Sequence, residues 1–430
     1  MSFINSGITV FSNNTTTAVT GLTTSNPGGV TMFSRTYIFA VTGLTASSPT
    51  ASTVNLAWTG ARSATSYSIV STPTTTTQTT SGTSLTFTGL SSGTSYTFTV
   101  TSVGAKGPGG STTSSPITTS SSVPKLVAVA SALDITTKGK VMTSTNGTTW
   151  TGQTSADSSP YVRWVCVVWN GTKFVAGGYR YFGLGTYNMM TSSDGITWTG
   201  QVPLNSPYIY WNSIAWNGTK FVAVGANGGS IQIITSPDGT TWTSQTPVSG
   251  TVNWNSVIWS GTQFVAVGQG SGYLVMTSPD GIAWTGRTAA GTGTDWRSVT
   301  WSGTKFVAVG TDGTYKVMTS PDGVTWAGQT AAGSGTTWKT VTWNGTKFVA
   351  VGSGGTYQVM TSSDGVTWTG QTPAGSGTQW NSVTWDGTQF VAVGGYGTYQ
   401  VMTSSDGVTW SGQAAADTTV NWNAITTTVS

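Results

Sequence analysis

The chain has 430 residues, only 7% of them charged against about a quarter in average globular proteins, with 58 Gly, no His and 12 acidic residues that are all Asp. The usual general base and metal ligand, and the Glu of most glycosidases, are therefore missing, and a single cysteine, Cys166, excludes an intramolecular disulfide or a thiolate cluster, so no metal or cofactor is expected. The net charge of +4 is scattered without a basic run and no stretch reaches the ~18 apolar residues of a membrane span, so neither nucleic acid nor membrane insertion is expected.

Residues 1–40 are rich in Ser and Thr. Val30 to Val41 alternates, with Phe33, Arg35, Tyr37 and Phe39 on one side, which predicts a strand. The segment reads as an attachment arm that adds to another subunit, giving a homo-oligomer, or to a neighbouring protein.

Residues 41–119 carry irregularly spaced strand patterns: Leu56-Ala57-Trp58, Ser66-Tyr67-Ser68-Ile69, Leu85-Thr86-Phe87, and Leu90 followed by Tyr96 to Val100. This pattern resembles a fibronectin type III domain. The resemblance implies a β-sandwich with Trp58 in its core and a corner bond from Tyr96, six residues after Leu90. The loop Gly104 to Gly110 reads Ala105-Lys106-Gly107-Pro108 and lacks the integrin-binding tripeptide of some members, which leaves a spacer role. Residues 120–124 form a short Ser-rich linker.

Residues 125–430 are a repeat array. Trp150, Trp198, Trp242, Trp284, Trp326, Trp368 and Trp410 stand 48, 44, 42, 42, 42 and 42 residues apart. Each repeat reads as four short strands: Trp-x-x-Val-x-Trp, Phe-Val-Ala-Val-Gly, Tyr-x-Val-Met-Thr-Ser and x-Thr-Trp-Thr-Gly-Gln. Asn-Gly, Ser-Gly or Asp-Gly pairs, such as Asn217-Gly218, join the first strand to the second as hairpins. Four-stranded units of about 40–45 residues have the period of propeller blades. The array starts in a second strand, Leu126 to Ala130, and ends in a first strand, Trp422 to Thr427, so the two ends are expected to complete one blade. The fold class read from the sequence is thus all-β: a seven-bladed β-propeller closed by its terminal strands, preceded by a type III-like sandwich and a short arm. Cys166 stands where sister repeats have Ser or Thr, which predicts buried packing.

The turn before each fourth strand carries Asp194, Asp238, Asp280, Asp322, Asp364 and Asp406, with Asn146 in the first copy, followed directly by Gly and three residues later by Trp. These turns resemble the Asp-box (BNR) repeat of sialidases in a form shortened by one residue. In that family the box is structural and lies away from the catalytic funnel. Sialidase activity needs an arginine triad, a Tyr nucleophile and a Glu, so catalysis is not inherited and the chain is read as a non-enzyme. Asp295, Asp312, Asp386 and Asp417 leave open an Asp-dependent polysaccharide hydrolase.

The opposite side of the ring gathers aromatic residues. First strands begin with Trp164, Trp211, Trp254, Trp296, Trp338, Trp380 and Trp422, and third strands with Tyr187, Tyr273, Tyr315, Tyr357 and Tyr399. These rings are candidates for stacking on sugars, with Asn212, Asn255 and Asn381 bonding hydroxyls; packing between blades is the competing reading. The order arm, spacer and head resembles virion surface proteins such as phage tail fibres and capsid decorations. That resemblance implies a virion-surface or extracellular location, host-surface glycans as ligand, and other virion proteins as partners of residues 1–40. A decoration protein without ligand and a secreted lectin remain alternatives.

Overall fold

The computed structural model describes residues 38–428 apart from 92, 106, 120–122, 133–139, 158, 160, 181–183, 206–208, 227–231, 249 and 294, together with the short antiparallel pair Phe11–Ser12 and Thr15–Thr16. The strand expected at 30–41 lies outside the described residues up to 37, and the linker up to 122. Two compact units divide the chain, residues 1–122 and 123–430.

In the first unit two sheets face each other. Thr42–Ser47, Val54–Thr59 and Ser84–Phe87 make one; Gln78–Thr80, Ser66–Thr72 and Ser95–Gly104, which pairs with Gly107–Thr113 and Ile117–Thr118, make the other. Strict alternation sends Val54, Leu56 and Trp58 inward from one sheet and Tyr67, Ile69, Tyr96, Phe98 and Val100 from the other. Trp58 meets Tyr67 edge-on, with ring centroids 5.2 Å apart. Tyr96 makes the expected corner: its Oη accepts the Ser91 N–H at 3.0 Å. Residues 38–41 lie against this unit, the Gly110 N–H donating to Ile38 O at 3.0 Å and Ser102 Oγ to Phe39 O at 2.6 Å.

The second unit is a seven-bladed β-propeller. Six blades are continuous in sequence, each ordered as its strands occur; in one of them Thr337–Trp343, Phe348–Ser353, Val359–Ser362 and Thr369–Gln371 lie side by side. In the seventh, the C-terminal strand Val420–Thr427 pairs with Leu126–Ala132, which continues to Lys140–Ser144 and Thr151–Thr154. Leu126 is opposite Thr427 and Ala132 opposite Val420, and the Thr428 N–H donates to Lys125 O at 2.9 Å. A β-bridge, Ser131 to Arg163, joins this closing blade to the next.

First strands touch first strands around the whole ring: Val162–Trp169, Tyr210–Trp216, Gly250–Trp259, Trp296–Trp301, Thr337–Trp343, Gln379–Trp385, Val420–Thr427 and back to Val162–Trp169. They are therefore innermost. The second strands, Phe-Val-Ala-Val-Gly, are buried on both faces because each blade is flanked by two others. Five core clusters of the ring each combine side chains of two neighbouring blades; Val391, Val393 and Val401, for example, pack on Leu126, Met142 and Trp422.

In the hairpins between first and second strands the Asn does not itself turn left-handed. Gly171, at φ 98°, makes the turn, and Asn170 Oδ1 accepts the Thr172 and Lys173 N–H groups at 3.0 and 2.8 Å.

Candidate functional site

Connections alternate between two sides of the ring, and the two sides have different chemistry. On one side are the first-to-second-strand hairpins and the Asp turns. In the turn of Asp364, Ser362 Oγ accepts the Gly365 N–H at 2.8 Å, Asp364 Oδ1 accepts the Val366 and Thr367 N–H groups at 2.8 Å each, and the Trp368 indole N–H donates to Gly365 O at 3.0 Å. The same Asp Oδ1 bonds recur at Asp194, Asp238, Asp280, Asp322 and Asp406. Asn146 makes them through its amide oxygen at 2.9 Å, so the turn needs an acceptor rather than a charge. A hairpin of the preceding blade staples several of these turns: Lys173, Lys305 and Lys347 Nζ donate to Asp238 O, Asp364 O and Asp406 O at 2.7–3.0 Å.

Turn amides hold Asp280, Asp322 and Asp364 below the usual carboxylate value and bring Asp406 to about 2. At Asp194 and Asp238 burial pushes upward, but the amide bonds outweigh it and the net shift is also down. A depressed carboxylate stabilises the fold above its unfolded value, about 3.9, and loses that contribution as pH falls through its folded value. With no His to titrate, the melting temperature is expected to stay flat from pH 8 to about 4 and to fall only between about 4 and 2. Calorimetry across that range checks this; a transition centred between pH 5 and 8 would contradict it.

The other described aspartates are equally engaged. Asp157 accepts the Ser159, Thr186 and Tyr187 N–H groups, Asp312 accepts the Asp295 N–H, and Asp417 accepts Thr419 N–H and pairs with Lys140. Asp386 is buried against Lys125 Nζ at 3.2 Å, and Asp295 binds Arg297 Nε at 2.8 Å. Burial pushes the Cys166 thiol up to about 12, and its Sγ lies 3.4 Å from Trp211 O. This is the inert packing expected of it.

On the opposite side, the structure corrects the reading of the tryptophans. Trp211, Trp254, Trp296, Trp338, Trp380 and Trp422 are 0–1% exposed, as is Trp164, and none presents a face to a ligand. The cause is local. A β-bulge follows most of these residues, as between Trp254 and Ser256, and the facing second-strand residue is Gly. A Cβ at Gly268 or Gly310 would come 2.6 or 2.4 Å from the carbonyl oxygen of Asn253 or Asp295 and 3.1 or 3.2 Å from the indole of Trp254 or Trp296, so glycine is required where the bulge brings the two backbones together beside the ring. The amides proposed to bond hydroxyls are also committed. Asn212, Asn255 and Asn381 Nδ2 donate to Trp254 O, Trp296 O and Trp422 O of the next blade at 2.9–3.0 Å, and Asn423 Nδ2 donates to Trp164 O at 2.8 Å. In two blades this bulge position holds Arg297 and Lys339 instead; burial, then the Arg297 charge, lowers the Lys339 pKa against the opposing pull of Asp295.

The tyrosines behave differently. Tyr187, Tyr273, Tyr315, Tyr357 and Tyr399 each lie over a glycine of their own outermost strand, Gly200, Gly286, Gly328, Gly370 and Gly412, where a Cβ would sit 2.1–2.4 Å from the ring. Tyr273, Tyr357 and Tyr399 remain 38–46% exposed; Tyr187 and Tyr315 are partly buried. Tyr210 and Tyr396, which the sequence reading did not single out, add exposed rings on this side, Tyr210 edge-on to Tyr179 at 4.5 Å between centroids. The Tyr–Gly partnership was visible as a constant spacing, since the pairs stand 13 residues apart in all five repeats.

Residues 39–120 match the fibronectin type III domain model. No curated protein sequence matches the chain. Among solved structures, the chain is similar to "YCF48 bound to D1 peptide", at 15% identity and TM-score 0.41 over 60% of this chain and 82% of that one. It is also similar to the GH74 enzyme of Niastella koreensis, at 15% identity and TM-score 0.40, over 86% of this chain and 62% of that one. The Cps50 (Swd1) β-propeller domain of Myceliophteria thermophila gives 11% identity and TM-score 0.39 over 62% of this chain and 88% of that one.

Proposed function

We propose that this chain is a non-enzymatic virion surface protein, a tail fibre or capsid decoration, whose propeller displays a binding face for host-surface glycans. The observation that carries this reading is the set of tyrosines. Five rings recur at one position of the repeat, each backed on one face by glycine, with Tyr273, Tyr357 and Tyr399 open to solvent. Flat rings repeated on a rigid scaffold suit stacking on the apolar faces of sugars, and several weak contacts on one ligand gain avidity.

Two further features support it. The described aspartates are bound up in turns, loops and ion pairs, and several are held in the ionised form, which disfavours a general acid among them. The Ser-x-Asp-Gly-x-x-Trp turns resemble a shortened Asp-box, and on that likeness the opposite side is the one used for ligands. Residues 1–40 then dock on other virion proteins or on a second copy.

A glycan array probed with the full chain tests the reading. Changing Tyr273, Tyr357 and Tyr399 together to Leu keeps the glycines covered but removes three aromatic faces, and is expected to weaken glycan capture by about tenfold or more. Uniformly negative arrays with folded protein would favour a decoration without ligand, and release of sugars from a polysaccharide panel would establish a hydrolase.

A further inference from the structure

The two sides of the ring carry opposite charge. Among its described residues, the Asp-turn side holds seven carboxylates, the six turn aspartates and Asp386, against five lysines, Lys125, Lys173, Lys220, Lys305 and Lys347. The tyrosine side holds four, Asp157, Asp295, Asp312 and Asp417, against seven Arg and Lys. The first side is therefore net −2 and the second net +3, so an anion is repelled by one and drawn to the other.

Charges spread over exposed side chains are screened by salt within about 8–10 Å, but two cations stand nearer the axis on the innermost strands. The residue after the first-strand Trp is Asn in four blades, and Asn212, Asn255, Asn381 and Asn423 each donate to the Trp carbonyl of the next blade. Arg297 and Lys339 hold that column in two consecutive blades and make no such bond. Arg297 turns back on its own strand, giving Nε and Nη2 to Asp295 Oδ2, while Nη1 donates to no described residue. Lys339 is partly buried and makes no hydrogen bond or ion pair with a described residue. Asp295 also accepts Thr311 Oγ1 at 2.8 Å and Asn255 Nδ2 at 3.3 Å. The other described charges on this side of the two blades, Asp312 and Lys316, cancel, so Asp295, Arg297 and Lys339 leave one positive charge without a counter-charge. Burial and the neighbouring Arg297 both oppose the charge on Lys339, and one anionic group held by the two cations would relieve that repulsion.

We infer that Arg297 Nη1 and Lys339 Nζ together receive one carboxylate, that of an acidic sugar in the glycan that stacks on the tyrosines. Tyr357 precedes the third strand of the blade whose first strand carries Lys339. Two strand spacings, about 10 Å, separate the strands, so an oligosaccharide rather than a single sugar ring occupies both positions. The site stands on its own residues; only the class of ligand rests on the glycan reading.

Amide NMR of the full chain, titrated at constant ionic strength with sodium glucuronate, methyl glucopyranoside and sodium sulfate, tests the site. Glucuronate is expected to give saturable shifts at Arg297 and Lys339, and the uncharged glycoside none. Lys339→Asn installs the residue of the sister blades, so it is expected to fold, and to weaken glucuronate by about tenfold or more, the cost of one hydrogen bond to a charged group. An array of uronic-acid oligosaccharides and their carboxyl-reduced forms reports the ligand, with capture of the acidic forms expected to exceed that of the reduced forms by about tenfold and to fall equally in Lys339→Asn. Absence of saturable glucuronate shifts at these amides, or shifts unchanged by Lys339→Asn, overturns the inference; sulfate that saturates them more tightly than glucuronate overturns the carboxylate assignment. Equal capture of acidic and reduced forms, lost only when the tyrosines are changed, overturns the inference and leaves the glycan reading intact. A blank array with saturable glucuronate shifts supports the site and sinks the glycan reading.

Discussion

Trp338→Ala is expected to destabilise the propeller by about 3–5 kcal/mol, the range for truncating a fully buried large aromatic. Its ring is 0% exposed and packs in a cluster that draws Val307, Val309 and Val317 from one blade and Val341, Phe348 and Met360 from the next. Truncation leaves a void facing two sheets, neither of which can close it without tilting against its other neighbour. Denaturant unfolding followed by circular dichroism measures the loss. A change below about 1 kcal/mol would mean that the ring is not a packing element, and would return these tryptophans to the set of ligand candidates.

Deleting residues 420–430 is expected to have the larger effect: loss of the cooperative melt and association of the truncated chain. The strand Leu126–Ala132 is buried from Leu126 to Ser131 and paired along its length with Val420–Thr427. Without that partner its amides, carbonyls and apolar side chains form an open inner edge, a ready template for another chain. Size-exclusion chromatography and melting curves report both consequences. A synthetic peptide of residues 418–428 added in trans is expected to restore a monomeric, cooperatively melting ring by strand addition. A truncated chain that stays monomeric with an unchanged melt would show that the terminal pairing does not hold the ring together.

Much of this architecture was legible in the repeat. The Trp spacing gave the blade period, and the out-of-phase ends, Leu126 to Ala130 and Trp422 to Thr427, announced the mixed blade because a hydrogen-bonded sheet must place every strand beside a complementary one. The corner at Tyr96 was equally readable, because its bond to the Ser91 N–H is set by a local spacing. What the pattern did not give was direction. A β-bulge after Trp254 shifts the alternation by one residue, so period-two reasoning cannot say whether that indole turns to solvent or to the next blade. The decisive signal was across the hairpin, in the glycine that ends each Phe-Val-Ala-Val-Gly strand and admits the close backbone approach of the bulge beside the ring. The tyrosines were placed on the correct side, yet their partners were missed because the contact joins third and fourth strands. Reading the repeats in columns would have found it: Ser244 stands in the outer glycine's place in the repeat where Ile231 stands in the tyrosine's.

The 2.9 Å bond from Thr428 to Lys125 also means that the point where the polypeptide is cut is a matter of covalent accident. In a ring cut free of residues 1–124, a short peptide ligating these two residues would leave every ladder of the ring untouched, and new ends opened at another equivalent hairpin, for instance between Gly345 and Thr346, would yield a permutant whose extremities emerge beside a different blade. A fused cargo or tether is thereby movable around the rim in sevenths of a revolution without altering what the scaffold presents.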